Sequence, residues 1–124
     1  MQGALLHLGD GHAAQGDGEV CGVAVEVPTL GTFTVNLIKN QAISTPRVEN
    51  DEYIMSIGSA KPMEDAARIA FYDLILWLER DYGFDRIAAY QLCSQVAKVR
   101  LANMVDVLYT IVAKYPKRYL PRSS

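Results

Sequence analysis

Pro62 divides this chain into two kinds of sequence. Before it, apolar residues fall in short runs rich in β-branched types. After it, they recur every three or four residues. A segment cannot satisfy a period of two and a period of 3.6 at once, so the division predicts strands first and helices second.

Upstream of Pro62, residues 4–8 (ALLHL) form a short apolar run that suits a strand, with His7 as a packing residue. Residues 9–18 carry four glycines and suit a loop or a bulged, irregular strand. Residues 20–27 (VCGVAVEV) and 32–39 (TFTVNLIK) predict two strands joined by a hairpin turn over residues 28–31. Residues 40–51 are polar and predict a surface connection, and residues 53–59 (YIMSIGS) predict a further strand.

Downstream, Pro62 suits the first turn of a helix, where its missing N–H has no bond to lose. Glu64 and Asp65 place negative charge at the positive end of the helix dipole. Ala67, Phe71, Leu74, Ile75 and Leu78 build an apolar face, which leaves Glu64, Arg68 and Asp73 largely off it. Trp77 and Phe71 suit core or interface. Gly83 suits a left-handed cap and Asp85 the N-cap of a second helix to about Ala97. The stretch after it is ambiguous. Residues 107–115 (VLYTIVAKY) predict a last strand, and the basic cluster Lys114, Lys117, Arg118 and Arg122 suits a solvated tail. The expected fold class is α+β: short strands forming a sheet or hairpins in the N-terminal half, two consecutive helices, and a returning C-terminal strand. At 124 residues, one domain over 1–124 is expected.

Charge excludes some functions. The net charge of -2 gives no basic face of the kind nucleic acid demands. No apolar run approaches the ~20 residues that span a bilayer, and residues 1–8 lack the pattern of a signal peptide. Cys21 and Cys93 have no CxxC or metal spacing and suit two buried thiols in a reducing cytoplasm.

The chemistry concentrates in residues 9–19, GDGHAAQGDGE. Three carboxylates, an imidazole and an amide are spaced there by small residues that let backbone approach a ligand. In an extended chain Asp10 and His12 share a face, and the same alternation would align Gln15, Asp17 and Glu19. Such groups can ligate a divalent cation, and a spare carboxylate can activate water. The same residues also suit plain turns, because Asp-Gly and Gly-Asp-Gly are common turn sequences. The segment has neither the ladder of an EF-hand nor the Gly-Lys-Ser/Thr of a P-loop. No serine stands in a Gly-x-Ser-x-Gly elbow.

The stretch LLHLGDGHAAQGDGEVCGVAVEVP closely resembles the signature of the acetamidase/formamidase family. The resemblance continues through PRVENDEYIMSIGSAKPMEDAARIA, DLILWLERDYGFDRIAAYQLCSQV, NMVD and VAKYPKRYLP, and so covers nearly the whole chain. It implies hydrolysis of small linear amides, formamide or acetamide, to a carboxylate and ammonia. It implies that Asp10, His12, Asp17 and Glu19 lie in or beside the site, with a divalent cation, zinc or calcium. On that basis Asp10 and His12 are expected as metal ligands, Glu19 as acid/base with Asp17 beside it, and Gln15 as a polar substrate contact. The family's proteins are more than twice this length, so the chain is expected to correspond to their C-terminal part. The missing N-terminal half or a homo-oligomer is then the expected partner. The alternative implied is a catalytically inactive remnant acting as a self-associating module. Two departures stand out: Asp106-Val107-Leu108-Tyr109 replaces the family's Asp-Pro-Asn-Tyr, and Ala102 stands where a tight turn with glycine is expected.

Overall fold

The structure is a computed structural model that describes residue 3 and residues 5–121. Its elements run β1 (Gly11–Ala14), β2 (Val25–Val27), β3 (Arg47–Glu49), β4 (Tyr53–Ala60), α1 (Met63–Tyr82), α2 (Arg86–Val96), β5 (Lys98–Asn103) and β6 (Tyr109–Pro116). Single 3₁₀ turns cover Asp17–Glu19 and Lys117–Tyr119. The α+β class holds. A four-stranded sheet has the order β3-β4-β6-β5, antiparallel throughout, and β1 and β2 form a separate pair.

The helix boundaries follow local chemistry. Glu64 and Asp65 sit in the first turn of α1, although Pro62 is its cap rather than its first residue. Gly83 ends the helix at φ 69°, and its N–H donates to the Leu78 carbonyl. That left-handed conformation strains any residue with a Cβ. The Asp85 carboxylate accepts from the N–H groups of Ile87 and Ala88, both at 3.0 Å, and so starts α2.

One face of the sheet carries the core. Ile54, Ile111, Ala113 and Tyr115 meet Ala66, Ala70, Leu74 and Leu78 of α1, with Ala89 and Cys93 of α2 behind. Trp77 is buried in the same cluster. The buried stripe of α1 is displaced from the expected one: Ala67 and Phe71 are only partly buried, while Ala66 and Ala70 are fully buried. Gly58 of β4 explains the shift. A Cβ there would lie 2.1 Å from the Ala66 carbonyl oxygen, so helix and strand touch backbone to backbone through small residues. Alanines carry weak hydrophobic signal, and the periodicity favoured their larger neighbours instead.

Asp73 is a second correction, since it is only 2% exposed. Arg47 grips it with two hydrogen bonds of 2.8 and 2.9 Å, and the Ser56 hydroxyl donates at 2.8 Å. The Arg47 guanidinium also stacks 4.8 Å from the centre of the Trp77 ring. A carboxylate with this many donors can be buried; an isolated one cannot.

Other expectations fail for want of a partner. Residues 5–8 lie outside any strand, residue 4 lies outside the described residues, and His7 is exposed. Residues 32–39 are also not a strand, and Val35 (81%) and Leu37 (68%) are exposed. Residues 28–31 therefore turn no hairpin. The strand expected over 20–27 shortens to Val25–Val27, because the chain first turns through a Gly22 N–H to Glu19 carbonyl bond of 2.7 Å. Two strands the sequence did not announce, β3 and β5, flank the sheet. The basic C-terminal cluster is no loose tail. Lys114 lies in β6, Lys117 pairs with Glu49 at 2.5 Å, and Arg118 stacks on Tyr119, while Arg122 lies outside the described residues. Among the described residues no helix is long and apolar enough to cross a membrane.

Candidate functional site

The β1–β2 pair builds the site. His12 lies directly opposite Glu26, with Gly11 opposite Val27. Directly opposite residues project to the same side of a sheet. Asp10 precedes His12 by two residues and joins that side: its Oδ2 lies 3.1 Å from His12 Nε2. One ligand atom from each of Asp10, His12 and Glu26 lies within 4.8 Å of the others. The Glu26 carboxylate is steadied by the Ala24 N–H at 3.1 Å. Two carboxylates and an imidazole around one point form a donor set suited to a divalent cation.

Gln15 turns the imidazole. Its Oε1 lies 2.9 Å from His12 Nδ1, and its amide N–H donates at 3.1 Å to the carbonyl of Ala102 in β5. The motif is thereby tied to the larger sheet. Ala102 occupies a register irregularity in β5 rather than a tight turn. Nearby, Asn103 and Asp106 bond each other twice, at 2.7 and 3.1 Å, and Val107 stands exposed where the family pattern has proline.

The alternation ends at a register shift between His12 and Ala14, so Gln15, Asp17 and Glu19 do not line up along a strand. Asp17 leaves the cluster for Arg100, whose Nε donates to its Oδ1 at 2.6 Å. Gly18 is buried at φ 82°, where a Cβ would meet Leu101 at 2.9 Å, and its carbonyl accepts from Met104 at 2.9 Å. These contacts pin the turn against β5. Glu19 is partly buried at φ 46°, and its charge is felt by His12.

Electrostatics follow the geometry. His12 holds its proton more tightly than usual, chiefly through the Gln15 carbonyl and then the Asp10 carboxylate, with partial burial opposing. Asp10 is held below its ordinary range by its backbone hydrogen bond and then by His12. Both ring nitrogens of His12 face acceptors, which is the arrangement of an imidazolium.

Glu26 is the residue that sequence reasoning missed. Only the cross-strand register brings it to His12, 14 positions away by number. The cysteines also divide: Cys93 is buried, and burial pushes its thiol up to about 11, whereas Cys21 is exposed.

The fold has known counterparts. A family model described as the Acetamidase/Formamidase family matches residues 1–118. No curated protein matches at a significant level. Among solved structures, an acetamidase from Yersinia enterocolitica is 58% identical with a TM-score of 0.86, covering 90% of this chain and 34% of its own. An acetamidase from Bacillus halodurans is 28% identical with a TM-score of 0.78, covering 87% of this chain and 37% of its own. A predicted acetamidase/formamidase from Thermoanaerobacter tengcongensis is 25% identical with a TM-score of 0.72, covering 86% and 36%. The chain thus spans about a third of the length of these solved relatives.

Proposed function

The chain belongs to the acetamidase/formamidase family, and from that premise we propose that it is a self-associating C-terminal module bearing one wall of a linear-amide hydrolase site. One observation carries this reading. The motif stands open, with Asp10 68% exposed at the side chain, and apolar residues on either side of it, Leu5, Leu6, Val23 and Val25, are exposed as well. Apolar surface of this extent favours association. A catalytic wall this open leaves water competing with every polar contact to a substrate.

The wall itself has the parts for hydrolysing formamide or acetamide to a carboxylate and ammonia. Asp10, His12 and Glu26 fit a divalent cation, zinc or calcium, by their donor chemistry and convergence. When bound, such a cation polarises the amide carbonyl. His12 Nε2 must shed its proton before it can ligate. Gln15 keeps the imidazole turned toward Asp10 through the Nδ1 contact. Glu19 is the carboxylate we assign to take the proton from the attacking water, because Asp17 is engaged by Arg100. Opposing donors to close over the carbonyl oxygen must come from another chain or segment.

Two measurements test this. Sedimentation velocity should show an oligomer. Ammonia release from formamide and acetamide should be negligible for the chain alone and appear when the N-terminal segment of a family member is supplied. A clean monomer with full turnover by itself overturns the proposal.

A further inference from the structure

The sheet face that carries no helix has an unusual charge arrangement. Lys98 of β5 lies directly opposite Lys114 of β6, and Arg100 lies two residues along on the same face, opposite Val112. Like charges in directly opposed positions destabilise an antiparallel pair. The two ammonium groups share only the Tyr53 ring, with Lys114 Nζ 4.2 Å and Lys98 Nζ 5.8 Å from its centre. Among the described residues neither forms an ion pair, although the chain as a whole is acidic. Arg100 is the exception, being paired with Asp17.

Beside these cations is a recess of about 240 Å³, lined by Gln15, Asp17, Met55, Arg100, Val112 and Lys114. Its lining combines apolar side chains with Lys114 and with the Arg100–Asp17 pair, whose charges offset each other and leave Lys114 as the uncancelled cation. Gln15, whose other contact orients His12, also lines it. The recess therefore adjoins the candidate site through one shared side chain.

We propose that this recess binds a small carboxylate. Lys114, which lines the recess, supplies the countercharge, Lys98 opposite it in the register adds to the positive field, and Met55 and Val112 take the short alkyl part. A carboxylate there relieves the repulsion across β5 and β6, which within the fold only the shared Tyr53 ring offsets. The inference rests on the amide-hydrolase reading for the ligand's origin. The group is either the carboxylate that amide hydrolysis releases or a second carboxylate carried by the amide substrate.

The test is isothermal titration calorimetry on the purified chain at fixed ionic strength, with sodium acetate and sodium malonate as probes. Saturable binding of at least one probe is expected, weakened roughly tenfold in Lys114→Gln, by less in Lys98→Gln, and unchanged in Lys39→Gln. Tighter acetate binding assigns the recess to the product; tighter malonate binding assigns it to a substrate bearing a second carboxylate. Thermal melts keep the variants interpretable: Lys98→Gln should melt no lower than the parent, because it removes a like-charge contact. No saturable heat with either probe, or equal affinity in Lys114→Gln, overturns the proposal. Binding of polyglutamate with neither small probe also overturns it, in favour of an acidic macromolecule. The readout needs no turnover. A chain without amidase activity that binds acetate keeps this inference, and an active chain that binds neither probe loses it alone.

Discussion

His12 and Glu26 face each other across the β1–β2 pair, so the candidate metal-binding cluster spans two strands and depends on their register. A slip of one residue would turn Glu26 to the opposite face. Calorimetry with zinc and with calcium should show binding to the parent chain, weakened by at least about tenfold in Glu26→Gln. Absence of binding by either ion at millimolar concentration would remove the cluster from the site.

The Arg47–Asp73 pair should be a stability determinant with a defined pH signature. Burial pushes the Asp73 carboxyl up, but hydrogen bonds from Arg47 and Ser56 outweigh it, and the net position is below the usual range. The carboxylate therefore stabilises the fold at pH above its unfolded value of about 3.9. That contribution is lost as pH falls through the lower folded value. Asp73→Asn should cost about 3–5 kcal/mol near neutrality, because it strands a largely buried guanidinium. Denaturant melts between roughly pH 6 and pH 2 should show a flatter acid limb for the variant than for the parent. Parallel limbs would mean that another carboxylate governs acid unfolding.

Gly58→Ala should destabilise by about 1–3 kcal/mol or more, because α1 must move off the sheet. The added Cβ would lie 2.1 Å from the Ala66 carbonyl oxygen and 2.7 Å from the Ala70 nitrogen, both backbone atoms that cannot swing away. Chemical denaturation of the variant measures the cost, and an unchanged midpoint would contradict the close approach.

Leu74→Ala should cost about 2–5 kcal/mol, the range for emptying a fully buried position. Leu74 has no exposed surface, whereas the nearby Arg68 is exposed. An equilibrium melt shifted by less than about half a kcal/mol would place the wrong face of α1 against the sheet.

By itself the sequence determined the elements whose bonds are local. Both helices and the Gly83 and Asp85 caps follow from residues within a few positions of one another, and the apolar patterns of β4 and β6 were legible although their bonds to each other are long-range. The proximity of Asp10 to His12 belongs to the same class, since an extended backbone puts alternate residues on one face. Tertiary structure decided whatever depends on a distant partner. Residues 32–39 have strand chemistry but no strand beside them, while the unpromising residues of β3 and β5 became strands because β4 and β6 offered edges. Asp73 looked like a surface residue until Arg47, 26 positions earlier, came to cover it. Glu26 joined His12 only through strand register. A helix closes its hydrogen bonds within itself, so its residues suffice to specify it. A strand, or a buried charge, is specified only when the rest of the chain supplies the other half of each bond.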